Sequence, residues 1–265
     1  MLFAAAVAAA PLSAQDTLPD SSAWAAAADI AAGQQLTYSG QFEAAGLYFL
    51  RVSDRYPRDP VGPALEASAL IWWATAQQDD AFDEDSIDAL LAQAAARAEH
   101  AVTAAPTDSA RVAGLFWLGT ALGYRARQAE LHGHYWRAAR DARKMRAALG
   151  RALALDSSCV DCRLGLAIYD YALARAGVLA RLVAQLIGLG GGDARRALQS
   201  LRRVSESGSL ARLEAQWLYA NALVREGGSD GAPREEARRI VDGLAAQFPE
   251  NPVFRRFLDS TARTP

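Results

Sequence analysis

A small or apolar residue recurs twelve positions before a helix-ending residue at five places along the chain. The pairs are Ala45 and Pro57, Ala94 and Pro106, Met145 and Ser157, Ala197 and Ser209, and Ala237 and Pro249. A small residue inside a helix lets a neighbouring helix approach closely, and Pro ends a helix because it has no backbone N–H to donate. A feature that returns at near-regular intervals predicts a chain built of repeated two-helix units.

The residue composition favours helices in these units. Alanine, which has the highest helix propensity, is the most abundant residue, and β-branched residues are sparse. The composition therefore argues against an α/β enzyme with a parallel sheet. Because 51% of the residues are hydrophobic, it also excludes a disordered chain. The chain has a formal net charge of −2 and so lacks the excess of basic residues that phosphate binding needs. We therefore expect no nucleic-acid partner.

The first unit contains the clearest helix-packing pattern. Gly33, Ala45 and Pro57 are twelve residues apart, and between them lie Gly40-Gln41-Phe42-Glu43-Ala44-Ala45, Phe49 and Tyr56. Small residues suit the contact between two antiparallel helices, and Gly suits the left-handed turn that joins them. This spacing resembles the tetratricopeptide repeat (TPR), a two-helix unit of 34 residues. Segments 169–171, 188–193 and 213–223 are also similar to a divergent class of TPR found in bacterial envelopes and on mitochondrial outer membranes.

The repeats of this chain are longer than the family period, since their terminating residues lie 49, 51, 52 and 40 positions apart. Gly119 and Met145 of the third unit are 26 apart, which two lengthened helices would accommodate. Gly165 and Ala197 of the fourth are 32 apart, and the insertion contains an apolar helix from about residue 177 to 187. The resemblance implies an all-α fold, a right-handed solenoid of about five antiparallel hairpins. It forms a single repeat domain over residues 23–260, capped by a C-terminal helix near Pro252 to Ala262.

The first fourteen residues have the properties of a secretory signal peptide. Segment 1–14 is uncharged and almost wholly apolar, and Leu12-Ser13-Ala14 precedes a polar stretch. No Lys or Arg precedes the apolar run, so a short apolar helix of the mature fold is the alternative. The apolar stretch 177–192 is shorter than the ~20 residues of a membrane span and contains Arg181. We therefore expect a periplasmic or secreted protein without a membrane span.

Two cysteines three residues apart form the sharpest local motif. In an exported chain, Cys159-Val160-Asp161-Cys162 predicts a local disulfide or two small packing residues, with a redox role at a helix N-terminus as the alternative. Haem attachment is disfavoured because Arg163 follows the second Cys where His would be needed, and a zinc site would need two more ligands at suitable spacing. We expect no cofactor.

Other titratable clusters do not match a metal or catalytic site. His132 and His134 flank a Gly, but two ligands at a turn would form only a weak metal site. The acidic stretch 79–88 lacks the Gly of a calcium loop and suits helix N-termini. The sequence contains no nucleophile elbow, phosphate loop or dinucleotide fingerprint. It therefore predicts no metal site and no catalytic residues.

The second helix of the third unit has a basic face. Arg137, Arg140 and Lys144 follow the helical spacing i, i+3 and i+7. Such a face is usually solvated. Alternatively, it would bind an acidic partner or anionic lipid headgroups and so bring the chain to the envelope surface.

The concave groove, lined by the first helix of each hairpin, is the binding surface that the resemblance implies. Helical spacing from Gly119, Gly165 and Ala220 directs three groups of side chains toward it: Phe116, Tyr124 and Arg127; Tyr169, Asp170 and Leu173; and Trp217, Asn221 and Arg225. Aromatic and Arg side chains dominate interface energetics, which favours a peptide-binding surface, although the same aromatic residues could be core. Trp72 and Trp73, whose neighbours are almost all apolar, are predicted to be core residues.

These features predict a non-catalytic protein-binding scaffold of the bacterial cell envelope that holds a partner segment in its groove. The alternative is a periplasmic carrier of a small molecule or lipid associated with solute uptake, in which the apolar helix around Val178 to Ile187 walls a cavity. A thiol enzyme built on Cys159 and Cys162 is a third hypothesis.

Overall fold

The chain is helical throughout the part that the structure describes. The structure is a computed structural model that describes residues 27–186, 188, 192–227 and 231–262. These ranges contain twelve helices and no strand: α1 (Ala27–Tyr38), α2 (Phe42–Arg55), α3 (Val61–Gln77), α4 (Glu84–Ala104), α5 (Asp108–Leu131), α6 (Tyr135–Leu155), α7 (Cys162–Arg175), α8 (Val178–Leu186), α9 (Ala194–Ser207), α10 (Arg212–Gly227), α11 (Gly231–Gln247) and α12 (Pro252–Ala262). The predicted signal peptide (1–14) and the first residues of the predicted 23–260 domain lie outside the described residues.

The helices pair as five consecutive hairpins. Helices α1 and α2, α3 and α4, α5 and α6, α7 and α9, and α10 and α11 pack against each other. Each hairpin also packs on the next, through α2 with α3, α4 with α5, α6 with α7, and α9 with α10. This serial packing confirms the predicted all-α solenoid. Helix α8 is inserted between the two helices of the fourth hairpin, as the spacing of Gly165 and Ala197 predicts.

The twelve-residue interval marks the second helix of every hairpin. Its first member is at most 4% exposed in each case, at Ala45, Ala94, Met145, Ala197 and Ala237. Helices α2, α4, α6, α9 and α11 end at residues 55, 104, 155, 207 and 247, two positions before the terminating residue. In the third hairpin α5 has 24 residues and α6 has 21, so both helices share the extra length, as predicted.

Glycines in the first helices allow the close helix contacts of the repeat pattern. A Cβ atom added to Gly33 would lie 2.2 Å from the ring of Phe49 in α2, and one added to Gly119 would lie 2.5 Å from the Leu149 side chain in α6. Both distances are far below van der Waals contact in a close-packed interior. These glycines therefore set how closely the two helices of the first and third hairpins approach.

The solenoid differs from the open groove expected from the repeats, because its two ends are in contact. Asn251, between α11 and α12, is fully buried, and its side-chain amide donates a 2.8 Å hydrogen bond to the carbonyl oxygen of Tyr38. Arg256 of α12 donates to the carbonyl oxygens of Thr75 and Ala76 in α3, at 3.2 and 2.6 Å. The C-terminal helix therefore caps α11, as predicted, and also packs on the second hairpin.

The turn between α1 and α2 shows why the two ends can approach so closely. Gly40 has a φ of +79°, a left-handed conformation that residues with a side chain rarely adopt. A Cβ atom there would lie 3.3 Å from the Asn251 Cα atom and 3.3 Å from the Pro252 side chain. Gly40 therefore serves both the turn of the first hairpin and its contact with the last.

The inserted helix α8 exposes the apolar side chains that the structure describes. Val178, Leu182 and Leu186 are 85%, 52% and 67% exposed. They are four residues apart, so they form one apolar stripe on the surface. These three exposed side chains do not wall a cavity, and α8 packs on α6.

The partly buried carboxyl group of Glu66 in α3 is expected to make the stability of the fold depend on pH. Burial, followed by the nearby charge of Asp54, raises the pKa of Glu66 from 4.5 to about 7, and one of its carboxylate oxygens has no hydrogen-bond partner among the described residues. The folded state therefore binds more protons than the unfolded state between these pH values, so the free energy of unfolding falls as pH rises through this window. We expect Glu66→Gln to raise the free energy of unfolding by about 1 kcal/mol at pH ~8, after allowance for solvent screening.

Urea denaturation of both proteins at pH ~4 and pH ~8 measures this difference. The gain should be much smaller at the lower pH, where the Glu66 carboxyl is mostly protonated in both states. The exposed Glu43→Gln on α2 is the matched control and should show no such pH dependence. An equal gain at both pH values would show that the substitution acts through packing and not through ionisation.

Candidate binding chamber

The first helices of the five hairpins surround a chamber. Its volume is about 420 Å³, within the roughly 300–1,000 Å³ of small-molecule sites. Helices α1, α3, α5, α7 and α10 each contribute an aromatic side chain to its wall: Tyr38, Trp72, Tyr124, Tyr169 and Trp217. Met145 and Leu149 of α6 add apolar surface. The chamber therefore lies on the inner wall that the repeat pattern predicts as the binding surface.

Trp72 is the centre of the aromatic packing that joins the two ends. Its ring lies edge-on to Tyr38 at 5.3 Å between centroids, 5.7 Å from Trp217 and 5.8 Å from Phe254. These rings belong to α3, α1, α10 and α12, so four elements from opposite ends of the chain meet here. Aromatic pairs at such distances add about 0.5–1.5 kcal/mol each beyond the area they bury.

Glu214 of α10 brings a carboxylate into this aromatic wall. Its Oε2 atom accepts hydrogen bonds from the indole Nε1 of Trp72 at 3.1 Å and from the hydroxyl of Tyr38 at 3.4 Å. The hydroxyl of Tyr124 also interacts with it, and Tyr124 lies 3.4 Å from the hydroxyl of Ser68. The side chain is therefore held by donors from three helices that precede it by 90 to 176 residues.

The chamber shifts the protonation equilibria of these groups. Burial raises the pKa of Glu214, while hydrogen bonds from Trp72 and the positive charge of Arg127 oppose that shift. Burial and the neighbouring Glu214 also raise the pKa values of Tyr38 and Tyr124, so both hydroxyls stay protonated and act as donors. The arrangement provides one carboxyl group whose hydrogen-bond donors are fixed in place.

The structure brings six of the nine predicted groove residues together around the chamber. Phe116, Tyr124, Arg127, Tyr169 and Trp217 all line it. Leu173 of α7 lines it as well. Helical spacing from the small contact residues therefore predicts the inward face of α5, α7 and the first half of α10.

Three other predicted groove residues lie outside the chamber. Asp170 is near Arg146 of α6 and Arg196 of α9 and does not line the chamber. Asn221 is exposed and donates a 2.7 Å hydrogen bond to the carbonyl oxygen of Trp217, while Arg225 lies near Tyr171. The inward wall of α10 ends at Leu218, so residues one and two turns further along the helix have passed its rim.

Sequence reasoning missed Tyr38, Trp72 and Glu214 as chamber residues. Trp72 is 4% exposed, as a predicted core residue should be, yet it also borders the chamber and donates to Glu214. Trp73 is partly buried, packs on Phe82 at 5.0 Å and does not line the chamber. No local signal distinguishes Glu214 from a surface Glu, because its partners come from distant hairpins.

The two cysteines hold a structural turn at the start of α7. Cys159 and Cys162 form a disulfide, and no Cys among the described residues is free. Between them, the carboxylate of Asp161 accepts hydrogen bonds from the backbone N–H groups of Ser209, Leu210 and Ala211 and from the Ser209 hydroxyl, at 2.7 to 3.2 Å. The motif therefore joins the fourth hairpin to the beginning of the fifth.

The acidic and basic stretches contact each other. Asp88 of α4 and Arg137 of α6 form a 2.5 Å ion pair, and the Nδ1 atom of His132 lies 2.8 Å from Glu84. Arg140 and Lys144 are exposed. Within the described ranges, no group of three or more His, Cys, Asp or Glu side chains could hold a metal ion. These stretches thus bind one another across the second and third hairpins.

Comparison with known proteins supports the fold assignment. No protein-family model and no curated protein matches the sequence. Among solved structures, the chain is similar to a thermophilic TPR protein of Thermus thermophilus, with a TM-score of 0.50 and 18% sequence identity over 89% of this chain and 98% of that one. None of the described helices is both long enough and apolar enough to span a membrane. The chain is an α-solenoid with the fold of a TPR protein.

Proposed function

We propose that this chain is a non-catalytic, exported binding protein that holds a small, largely apolar molecule in the chamber. The observation that carries the proposal is the chamber itself, a space of about 420 Å³ lined by the inward faces of the five hairpins. The contacts of Asn251 with Tyr38 and of Arg256 with Thr75 close the solenoid across the groove that a protein segment would otherwise occupy. A carrier therefore fits the geometry better than a scaffold that binds a segment along its inner wall.

A protein-binding scaffold of the cell envelope remains the second candidate, and α8 is the feature that favours it. The exposed stripe formed by Val178, Leu182 and Leu186 would place a protein contact on the outer surface. A scaffold of this kind would not need the chamber. The two functions therefore depend on different surfaces of the molecule, and substitutions on each surface test them separately.

A residue that fills the chamber tests the carrier function. Thr120 of α5 lines the chamber, and its hydroxyl donates to the carbonyl oxygen of Phe116 four residues earlier. We expect Thr120→Trp to weaken binding of the neutral fluorescent probe N-phenyl-1-naphthylamine by at least about tenfold, because the new ring occupies the space. Titration of the probe into the full chain, followed by its fluorescence, measures this change.

Thr103→Trp on α4 is the matched control. Thr103 is exposed and makes the same kind of hydrogen bond, to the carbonyl oxygen of Glu99. This variant should bind the probe as the unchanged chain does. If the probe binds all three proteins equally, or none of them, the chamber is not the binding site and the carrier function is wrong.

A further inference from the structure

The charges on the chamber wall are unbalanced. Among the described residues, its ionisable acids are Glu130, Asp161 and Glu214, and its single base is Arg127. Glu130 is exposed, and Asp161 is occupied by backbone N–H groups just before and at the start of the fifth hairpin, which leaves Glu214 as the carboxylate among the rings. The wall therefore presents more negative than positive charge to a bound molecule.

The aromatic rings around Glu214 also favour a cation over an anion as the ligand. Trp72 donates its indole N–H to the carboxylate, and the Trp217 ring lies 5.7 Å from that of Trp72. Tyr38 and Tyr124 complete the surroundings. The face of an aromatic ring carries negative potential and attracts cations, most strongly at sites removed from water. The Glu214 carboxylate already accepts the N–H and O–H groups of these rings, and its own charge would repel a second anion at this position.

We propose that the chamber selects an organic cation, a small molecule with an ammonium group on an apolar body. The inference rests on the proposed carrier function and adds the chemical class of its ligand. The ammonium group would lie beside Glu214 and the rings of Trp72 and Trp217, which line the chamber with it. The apolar body would extend along Leu149 and Met145 of α6, which also line the chamber.

Arg127 defines the competing ligand class. Its guanidinium group lines the chamber and donates to the side-chain oxygen of Gln128 at 3.3 Å. An apolar carboxylate would bind through this group. However, Arg127 interacts electrostatically with Glu214, whose negative charge offsets its field. The experiment therefore includes an anion as a separate arm.

Three ligands of similar size separate the contributions of charge and shape. Benzyltrimethylammonium, its neutral isostere 2,2-dimethylpropylbenzene and the anion 4-phenylbutanoate each compete with N-phenyl-1-naphthylamine for the full chain. The measurement is made at about pH 8.5, because a carboxyl group of raised pKa is more fully ionised there. We expect the cation to displace the probe at about tenfold lower concentration than the neutral isostere, and the anion to be the weakest.

Glu214→Gln should remove the advantage of the cation over the neutral isostere and leave the isostere within about twofold. Glu236→Gln is the matched control, since Glu236 likewise accepts a hydrogen bond from a tyrosine, Tyr219 at 3.2 Å, but does not line the chamber. Trp217→Leu keeps the carboxylate and removes one ring face. It should lower the affinity for the cation by several-fold more than the affinity for the isostere, and it tests the proposal if Glu214→Gln does not fold.

The outcomes distinguish this inference from the function on which it rests. If the probe binds and the three ligands compete equally, or the anion competes best, the chamber is a binding site but the assignment to organic cations is wrong. If Glu214→Gln and Glu236→Gln have equal effects, Glu214 does not select the ligand and the inference is again wrong. If the probe itself does not bind, the proposed carrier function is wrong, and the inference about organic cations is wrong with it.

Discussion

Phe254→Ala is expected to lower the free energy of unfolding by about 3–5 kcal/mol, the largest effect of any single substitution considered for this chain. The Phe254 side chain is fully buried. Its ring lies 5.8 Å from Trp72, 5.7 Å from Trp217 and 6.4 Å from Phe248. Its removal would leave a cavity between α12, α3 and α10, where the last element of the chain meets the second hairpin. Urea denaturation followed by circular dichroism measures the change.

Phe82→Ala is the control for the general loss of a ring. Phe82 packs on Trp73 at 5.0 Å, is only partly buried and lies in the turn between α3 and α4. It should cost clearly less stability than Phe254→Ala. Phe254→Ala should also weaken binding of N-phenyl-1-naphthylamine under conditions in which the helix content is unchanged, because the chamber depends on the closure. Equal destabilisation by the two substitutions would contradict the role of Phe254 in joining the ends.

Local interactions account for the part of the fold that the sequence predicts. Gly33 and Phe49, or Gly119 and Leu149, belong to the same hairpin, so their spacing is readable along the chain. The second helices end two residues before the Pro or polar turn residue that closes each twelve-residue interval. Both features follow from helix geometry and backbone hydrogen bonding, which act over a few turns.

The closure is not predictable from the sequence in this way. It depends on small rotations between successive hairpins that accumulate over the whole solenoid. Asn251 and Tyr38 are 213 residues apart, and Trp72 and Glu214 are 142 apart. Neither partner indicates the other by spacing or by residue type.

The same reason explains which chamber residues the sequence predicts. Tyr124, Tyr169 and Trp217 follow from helical spacing within one hairpin, and they line the chamber. The apolar neighbours of Trp72 predict burial, and burial does not distinguish a core side chain from one that borders an internal space. Asn221 is predicted to face the groove but lies beyond the end of the chamber. Helical spacing predicts which face of a helix points inward, but not where along the helix the chamber ends.

Asp161→Ala is expected to lower the free energy of unfolding by about 2–4 kcal/mol, the second largest effect. The carboxylate accepts four hydrogen bonds from the segment that begins the fifth hairpin, including backbone N–H groups of Ser209, Leu210 and Ala211. Loss of the charged acceptor leaves several backbone donors without a partner. A hydrogen bond to a charged group contributes about 1.5–3 kcal/mol to stability. The four contributions are not additive, because all four donors share one carboxylate. Urea denaturation again measures the change.

Asp156→Ala is the matched control for Asp161→Ala. Asp156 accepts hydrogen bonds from the backbone N–H and hydroxyl of Ser158, two residues away, so it stabilises only its own turn. Its replacement should have a clearly smaller effect, and Asp161→Asn, which keeps one acceptor oxygen, should fall between the two. Because Leu210 and Ala211 also line the chamber, Asp161→Ala should weaken probe binding in addition to stability. Asp161 would have only a local role if Asp156→Ala were equally destabilising, and the fifth hairpin would then be held by its apolar contacts alone.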